Sequence, residues 1–384
     1  MDFGLSEDLL ELKELTHQFA KNEIRPVAAE FDEKNEFPHE VMQKAFEIGF
    51  LTSNIPSDLG GLEFNNIQNA IVCEELAWGC AGMYTSIMAN TLATMPIVLF
   101  GNDEQKKEFL EPITKEISYA CFGLTEREAG SDNSAMKTTA KKDGDYYILN
   151  GSKTFITNGG ISKIGVIFAS TDRDRGARGL SAFIVPMDLP GVTAGKHENK
   201  MGHRASNTTE LYFDDVRVPA KNLLRKEGFG FLIALRTLDF ARPSVGAGGV
   251  GVARAAYEEA LKYAQNRVQF GKPIAAFQHN AFKLADMATD IDAARLLVHR
   301  SAWMLDNNIK ASKESAMAKV VATDVAMKTT TDAVQILGGY GYMKEYPVEK
   351  MMRDAKLLQI YEGTNEIQRH VISLDILGSV KNVG

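Results

Sequence analysis

The run Tyr146-Tyr147-Ile148-Leu149-Asn150-Gly151-Ser152-Lys153-Thr154-Phe155-Ile156-Thr157-Asn158-Gly159 is written in the grammar of strands and turns. Aromatic and β-branched residues are punctuated twice by Asn-Gly, the dipeptide best suited to the positive φ angles of hairpin turns. The stretch therefore predicts two strands, 146–149 and 153–157, turning at Asn150-Gly151. Further short alternating runs follow at 164–171, 180–186 and 209–218. No helical pattern lies between them, so residues 116–227 are expected to form an antiparallel β domain, a sandwich or barrel and not a parallel doubly wound sheet.

On either side the period changes to that of helices. Leu5, Leu9, Leu12, Leu15 and Phe19 recur at spacings of three and four, which makes one apolar helical face. Pro26 is expected to end or kink that helix. Val41, Ala45 and Ile48 repeat the pattern, and residues 67–100 are apolar nearly all round, as in a buried helix or two. Asn102 or Asp103 is placed to cap a short helix over 104–110. Residues 1–115 thus read as an all-α domain. From 228 to 384 the helical period returns, with helices expected at 228–268, 274–307, 313–337 and 346–359 and another after 366. Short connections between long helices indicate an antiparallel four-helix bundle. The expected fold class is α+β, mostly α, with the β domain in the middle.

Composition narrows the function. The 384 residues are 45% hydrophobic and 24% charged with a net charge of −7, which argues against broad binding to nucleic acid or anionic membrane. Cys73, Cys80 and Cys121 form no CxxC pair, and the seven histidines form no HxH or HxxxH pair. Buried thiols are expected, and neither a disulfide framework nor a metal site. Met1-Asp2-Phe3 runs into a charged amphipathic segment without the pattern of a signal peptide, and no 18-residue apolar run suggests a membrane span. The expected setting is the cytoplasm.

Five motifs could carry chemistry, and each has a structural reading beside its functional one. Tyr361-Glu362-Gly363-Thr364-Asn365-Glu366 breaks a helical pattern. Glu362 there is either a solvated turn residue or, if the turn lines a dry pocket, a base strong enough for a weakly acidic C–H bond. Gly123-Leu124-Thr125-Glu126-Arg127-Glu128-Ala129-Gly130-Ser131-Asp132 is an ordinary turn or a cradle for a polar ring edge or phosphate. Gln335-Ile336-Leu337-Gly338-Gly339-Tyr340-Gly341-Tyr342 is a helix C-cap or a close approach of backbone to ligand. Arg267-Val268-Gln269-Phe270-Gly271-Lys272-Pro273 places cations at a helix end, for the dipole or for a pyrophosphate. Asp239 and Arg242, four residues of helix with Pro243 behind them, form a surface ion pair or a contact to a polar ligand tail.

Taken in order, GLTE-x-x-AGSD, NG-x-K-x-FITNGG, R-x-QFGKP, QILGGYGY and MRDAK-x-x-QIYEGTNEIQ closely resemble the acyl-CoA dehydrogenase family of flavoproteins over essentially residues 1–380. The resemblance implies a homotetramer with one FAD per subunit. It implies oxidation of the Cα–Cβ bond of an acyl-CoA to the trans-2-enoyl-CoA, and transfer of electrons to electron-transferring flavoprotein. By the matching motif, Glu362 takes the α-proton. Phe122, Leu124, Thr125, Gly130 and Ser131, then Phe155, Ile156 and Thr157, match positions around the flavin. Arg267, Gln269, Phe270 and Gln278 match residues that reach a neighbouring subunit's FAD. Gln335, Leu337, Gly338, Gly339, Thr364 and Glu366 match positions around pyrophosphate and adenosine. Ser131, Asp239, Arg242, Tyr361 and Gly363 match substrate contacts.

Three departures from the family pattern stand out. Arg127-Glu128 replaces a common Pro-Gly. Ala241 occupies the alternative base position of long-chain and branched-chain members, which supports Glu362. Met88 replaces a polar residue at the pocket floor. The expected substrate is a short- to medium-chain or alicyclic acyl-CoA. The alternatives are an enoyl-CoA reductase running the reaction backwards with electron-transferring flavoprotein, and a non-catalytic acyl-CoA-binding relative.

Overall fold

The computed structural model describes residues 4–378, so Met1-Asp2-Phe3 lies outside the described residues. The N-terminal helices are α1 (Glu7–Phe19), α2 (Ala28–Lys34), α3 (His39–Glu47), α4 (Asn66–Gly79), α5 (Ala81–Phe100), α6 (Asp103–Phe109) and α7 (Glu111–Lys115). After α1 a π turn over Ala20–Ile24 ends the helical run just before Pro26. Asn65 and Gln68 form a reciprocal capping box at the start of α4, and Asn102 with Gln105 does the same for α6, each satisfying otherwise orphaned N–H donors. α5 is long and apolar enough to cross a membrane, but 72% of its most apolar window is buried inside the protein. It is a core helix.

The middle of the chain gives β1 (Tyr119–Gly123), β2 (Thr139–Asp143), β3 (Tyr146–Thr157), β4 (Ser162–Ser170), β5 (Leu180–Pro186), β6 (Val192–Ala194) and β7 (Thr208–Pro219). They make one seven-stranded sheet in the order β1-β4-β2-β3-β7-β6, with β5 also paired to β4. Two details differ from the sequence reading. Asn150-Gly151 is not a hairpin turn: β3 runs straight through it, and the register against β7 slips between Leu149 and Gly151. The extra residue is absorbed as a bulge, the other use of such residues in a strand. The hairpin turn lies earlier, joining Asp143 of β2 to Tyr146 of β3. The sheet is also not wholly antiparallel, because β1 pairs parallel with β4.

Alternation along β4 divides the core. Val166 and Phe168 pack with Ala93 and Ile97 of α5, while Ile167 and Ala169 face inward with Leu149, Phe183, Val216 and Val218, as a period of two requires.

The C-terminal helices are α8 (Gly230–Asn266), α9 (Gln278–Asp306), α10 (Ser312–Leu337), α11 (Val348–Leu358) and α12 (Asn365–Leu377), with the tiny hairpin β8 (Val268–Gln269) and β9 (Lys272–Pro273) between the first two. α8 passes through Pro243 as one helix. It is packed between α4 and α10, so closely that a Cβ on Gly251 would lie 2.1 Å from the Glu74 carbonyl oxygen. The three cysteines are free and buried.

Candidate active site

Glu362 follows α11 in a turn whose geometry is unusual. α11 ends at Leu358, with the Ile360 and Tyr361 N–H groups both donating to the Leu357 carbonyl. Glu362 then adopts φ +53° and Gly363 φ +91°. A left-handed glutamate is uncommon and costs energy. A Cβ on Gly363 would meet the Gln368 amide nitrogen at 2.6 Å, so glycine is required there. The chain then enters α12, which Thr364 caps by accepting from the Ile367 N–H.

This turn delivers Glu362 to a narrow cavity of about 30 Å³ between α4, α5 and α8. Its walls include Tyr84, Met88, Thr91, Leu92, Phe240 and Ala241. Oε2 of Glu362 is buried without a hydrogen-bond partner, and so is Nε of Arg242. Unpaired buried polar atoms are costly unless something else meets them. Among the described residues no partner is seen for the Glu362 N–H either. Desolvation pushes the Glu362 carboxyl up to about 7, opposed first by Lys319 and then by Arg242. Arg242 is itself buried; its Nη1 donates to Asp239 Oδ1 at 2.6 Å, and Ser312 donates to the other Asp239 oxygen at 2.6 Å. Tyr361 is tied by its hydroxyl to Thr85 at 3.4 Å. The cavity thus sets a carboxylate of raised basicity against Met88, Leu92, Phe240 and Ala241, and the buried Arg242 guanidinium, the next residue after the lining Ala241, favours its ionised form.

A second group of predicted residues lies elsewhere. Arg267, Gln269, Phe270, Gln335, Leu337, Gly338 and Gly339 line a cavity of about 650 Å³ formed by the ends of α8 and α10, the β8–β9 hairpin and the start of α9. Gln278, the first residue of α9, is exposed directly after the lining residue Phe277. A Cβ on Gly338 or Gly339 would meet nothing within 4 Å, and Gly338 has φ +63°. The backbone is thus bare to an incoming group. Phe270, at φ +51°, is 94% exposed. No β-domain residue, and not Glu362, lines this cavity.

The third group is on the sheet. Thr125 and Thr157 are half-buried, and Phe155 is 69% exposed with φ +58°. Phe122 is half-buried; Leu124 and Ile156 give their side chains to the core. Gly130 and Ser131 are exposed in the loop beyond, as is Glu366 on α12.

Model matches to the chain cover nearly all of it. The acyl-CoA dehydrogenase N-terminal domain matches residues 6–116, the middle domain 121–216 and the C-terminal domain 228–377. The chain belongs to the acyl-CoA dehydrogenase family. It is 44% identical to a short-chain specific acyl-CoA dehydrogenase of Clostridium acetobutylicum, over 97% of this chain and 99% of that one. Among solved structures, butyryl-CoA dehydrogenase from Megasphaera elsdenii superposes with a TM-score of 0.96 at 44% identity, covering 98% of this chain and 100% of that one. A chain from work on the electron transferring flavoprotein of Acidaminococcus fermentans does so with 0.96 at 45% identity and the same coverage. Acyl-CoA dehydrogenases are FAD-dependent flavoproteins that oxidise CH–CH bonds. The bare glycine backbone, the arginine and the large cavity at the α8–α10 end fit a dinucleotide tail.

Within this acyl-CoA dehydrogenase, two residues with evident roles were not singled out from sequence. Lys153, with no exposed surface, donates to Glu126 Oε1 at 2.6 Å and to the Leu124 carbonyl at 3.2 Å, while Glu126 also accepts from the N–H groups of Lys137 and Thr138. The Thr154 N–H donates to the Thr125 carbonyl at 2.9 Å. This buried pair clamps the 124–126 loop to β3. Lys319 of α10 is the second. The signal for both was available: a lysine among residues whose spacing faces the core, as with Ala316, Lys319, Thr323 and Ala326.

Proposed function

We propose that this dehydrogenase converts a short-chain acyl-CoA to its trans-2-enoyl-CoA, with Glu362 removing the α-proton. The observation that carries this reading is the desolvated Glu362 carboxyl, one oxygen unpartnered, lining a narrow cavity walled in part by Met88, Leu92, Phe240 and Ala241.

A proton α to a thioester is too weakly acidic for an ordinary carboxylate. Raising Glu362 to about 7 brings its basicity near the working pH, where a general base is most effective. The unpartnered Glu362 N–H would donate to the thioester oxygen and so stabilise the charge that develops there. Asp239 and Arg242 are assigned to the polar portion of the substrate, and Ser131 to the CoA portion. Met88, Leu92 and Phe240 would form the acyl wall, and a short chain is favoured by the similarity to a short-chain specific acyl-CoA dehydrogenase and to butyryl-CoA dehydrogenase. The flexible Met88 lets the wall adapt to its occupant. At Ala241 the cavity has no second carboxylate.

Bound FAD supplies the acceptor for the β-hydride. Arg267, Gln269, Phe270, Gln335, Gly338 and Gly339 would hold its phosphates and adenosine, with Leu337, Gln278, Thr364 and Glu366 around them. Phe122, Thr125, Phe155 and Thr157 would hold the ring, with Leu124, Ile156 and Gly130 beside them. Since the Arg267–Gly339 cavity includes neither Glu362 nor any β-domain residue in its lining, while Thr364 and Glu366 follow closely on Glu362, a homotetramer in which one subunit completes another's flavin site belongs to the same proposal. Delivery of electrons to an electron-transferring flavoprotein, supported by the similarity to the Acidaminococcus chain, and a cytoplasmic setting belong to the same proposal.

The test is anaerobic titration of the FAD-loaded protein with straight, branched and cyclic acyl-CoAs, following flavin bleaching. Four-carbon and similar short acyl groups should bleach it fastest. No bleaching by any saturated substrate, with reoxidation of the reduced protein by enoyl-CoAs, would reverse the assigned direction. Neither response would overturn the reading.

A further inference from the structure

Lys319 sits mid-way along α10 without any exposed surface. A buried ammonium is costly unless every proton finds an acceptor. Its Nζ donates to the Gly363 carbonyl at 2.9 Å and to Asn365 Oδ1 at 2.8 Å. Asn365 is held in turn, donating to Thr323 Oγ1 at 3.0 Å and to Asp324 Oδ1 at 2.7 Å. From the other side, the Gln368 amide donates to the Glu362 carbonyl at 3.2 Å and to the Gly363 carbonyl at 2.9 Å. The two carbonyls of the left-handed turn are therefore pinned from behind, by α10 and α12. Among the described residues Glu362 Oε2 and the Glu362 N–H have no partner, and Glu362 lines the cavity.

We propose that Lys319 is the positioning residue of the catalytic turn: its ammonium holds the Gly363 carbonyl, which aims both the Glu362 carboxylate and the Glu362 N–H into one cavity. The proposal rests on Glu362 being the base. A left-handed Glu–Gly pair has little conformational preference of its own for this arrangement, so an external hold is required. Positioning of this kind matters because a small misalignment of a reacting group costs rate steeply.

The same ammonium biases the ionisation of Glu362. The titratable and charged groups around the pair are Cys73 on α4, Tyr84 on α5, Asp239 and Arg242 on α8, Asp324 on α10, Glu366 on α12 and the adjoining Tyr361. Lys319 has the largest charge effect on Glu362, ahead of Arg242. Both favour the carboxylate, so removing Lys319 raises the pH at which the base becomes available. That is an electrostatic signature which loss of packing alone does not produce.

The experiment uses the FAD-loaded protein with Lys319→Met, which removes charge and donor, and Lys319→Gln, which keeps a donor. Flavin reduction by butyryl-CoA is followed anaerobically against pH. Infrared difference titration reads the Glu362 carboxyl directly, assigned by its loss in Glu362→Gln. In both Lys319 variants the carboxyl midpoint and the rising limb of the rate should move up by about one pH unit. Lys319→Met should also lose at least about tenfold in the plateau rate with KM little changed, and Lys319→Gln should recover part of that plateau. Wild-type midpoint and plateau in a folded Lys319→Met protein overturn the proposal. Failure of both variants to fold and bind flavin, while Glu362→Gln does both, also counts against it, because the lysine then holds the fold and not the turn. A wild-type rate in Glu362→Gln defeats the base assignment itself, whatever the Lys319 variants do.

Discussion

The turn at Glu362 and the groove at Arg267–Gly339 are both made from helix ends, yet they are finished to different degrees. The first is a narrow cavity of about 30 Å³ walled by α4, α5 and α8 and backed by a buried lysine. The second is a broad cavity of about 650 Å³ rimmed by a phenylalanine that is 94% exposed and by glycines with nothing over them. On the proposed function, one chain would build its proton-abstracting machinery alone, down to the hydrogen bonds that hold the turn. It would build only part of its cofactor-holding machinery. The difference would then separate chemistry, which needs fixed geometry and a dry surrounding, from cofactor retention, which assembly could complete.

Substitutions can break that contrast. The largest effect is expected at the finished site. Glu362→Gln should keep FAD and fold but reduce the rate of flavin reduction by about 10³-fold, the scale of a lost general base, as read by stopped-flow absorbance. Next comes the clamp on the sheet. Lys153→Met leaves the Glu126 carboxylate buried without its cation, and removing one partner of a buried pair costs about 3–5 kcal/mol. Denaturant titration should show that loss, with weaker flavin retention because the 124–126 loop is released. At the unfinished site the effect should be on affinity and not on chemistry. Arg267→Ala should weaken FAD binding by about 1.5–3 kcal/mol, the value of a hydrogen bond to a charged group, while protein saturated with FAD reacts at an unchanged rate. Equal loss of rate at saturation would erase the distinction between the two regions.

The smallest effect concerns stability. The folded-state pKa of Glu362 is raised above its unfolded value, from 4.5 to about 7. The native state therefore binds the extra proton, and the stability this gives is present below about pH 4.5 and lost as pH rises through 7. Glu362→Gln has no such loss. Its melting temperature should exceed wild type by a few degrees at pH 8 and approach wild type near pH 4.5.

Much of the architecture was legible because its signals are periodic. The 3.6-residue stripes marked α1 and α8 to α10, and Asn102, one of two candidate caps, announced the start of α6. Asn150-Gly151 misled, because the dipeptide serves equally in a turn or a bulge, and only pairing with β7 decides which. The parallel pairing of β1 with β4 was invisible for the same reason: register is a long-range property. At the site, the glycine after Glu362 and the family motifs drew attention to the turn. Lys319 and Lys153 escaped notice because a lysine in a helix or strand is ordinarily a solvated one. Their meaning depends on what faces them across the core, at Gly363 and at Glu126.

The most direct test of the account is the pH dependence of anaerobic flavin reduction by butyryl-CoA in the wild-type protein. The rate should rise with pH through about 7 as Glu362 sheds its proton, and this limb should be missing in Glu362→Gln. A rate that stays level from pH 5.5 to 8.5, or a Glu362→Gln protein that follows the wild-type curve, would contradict it.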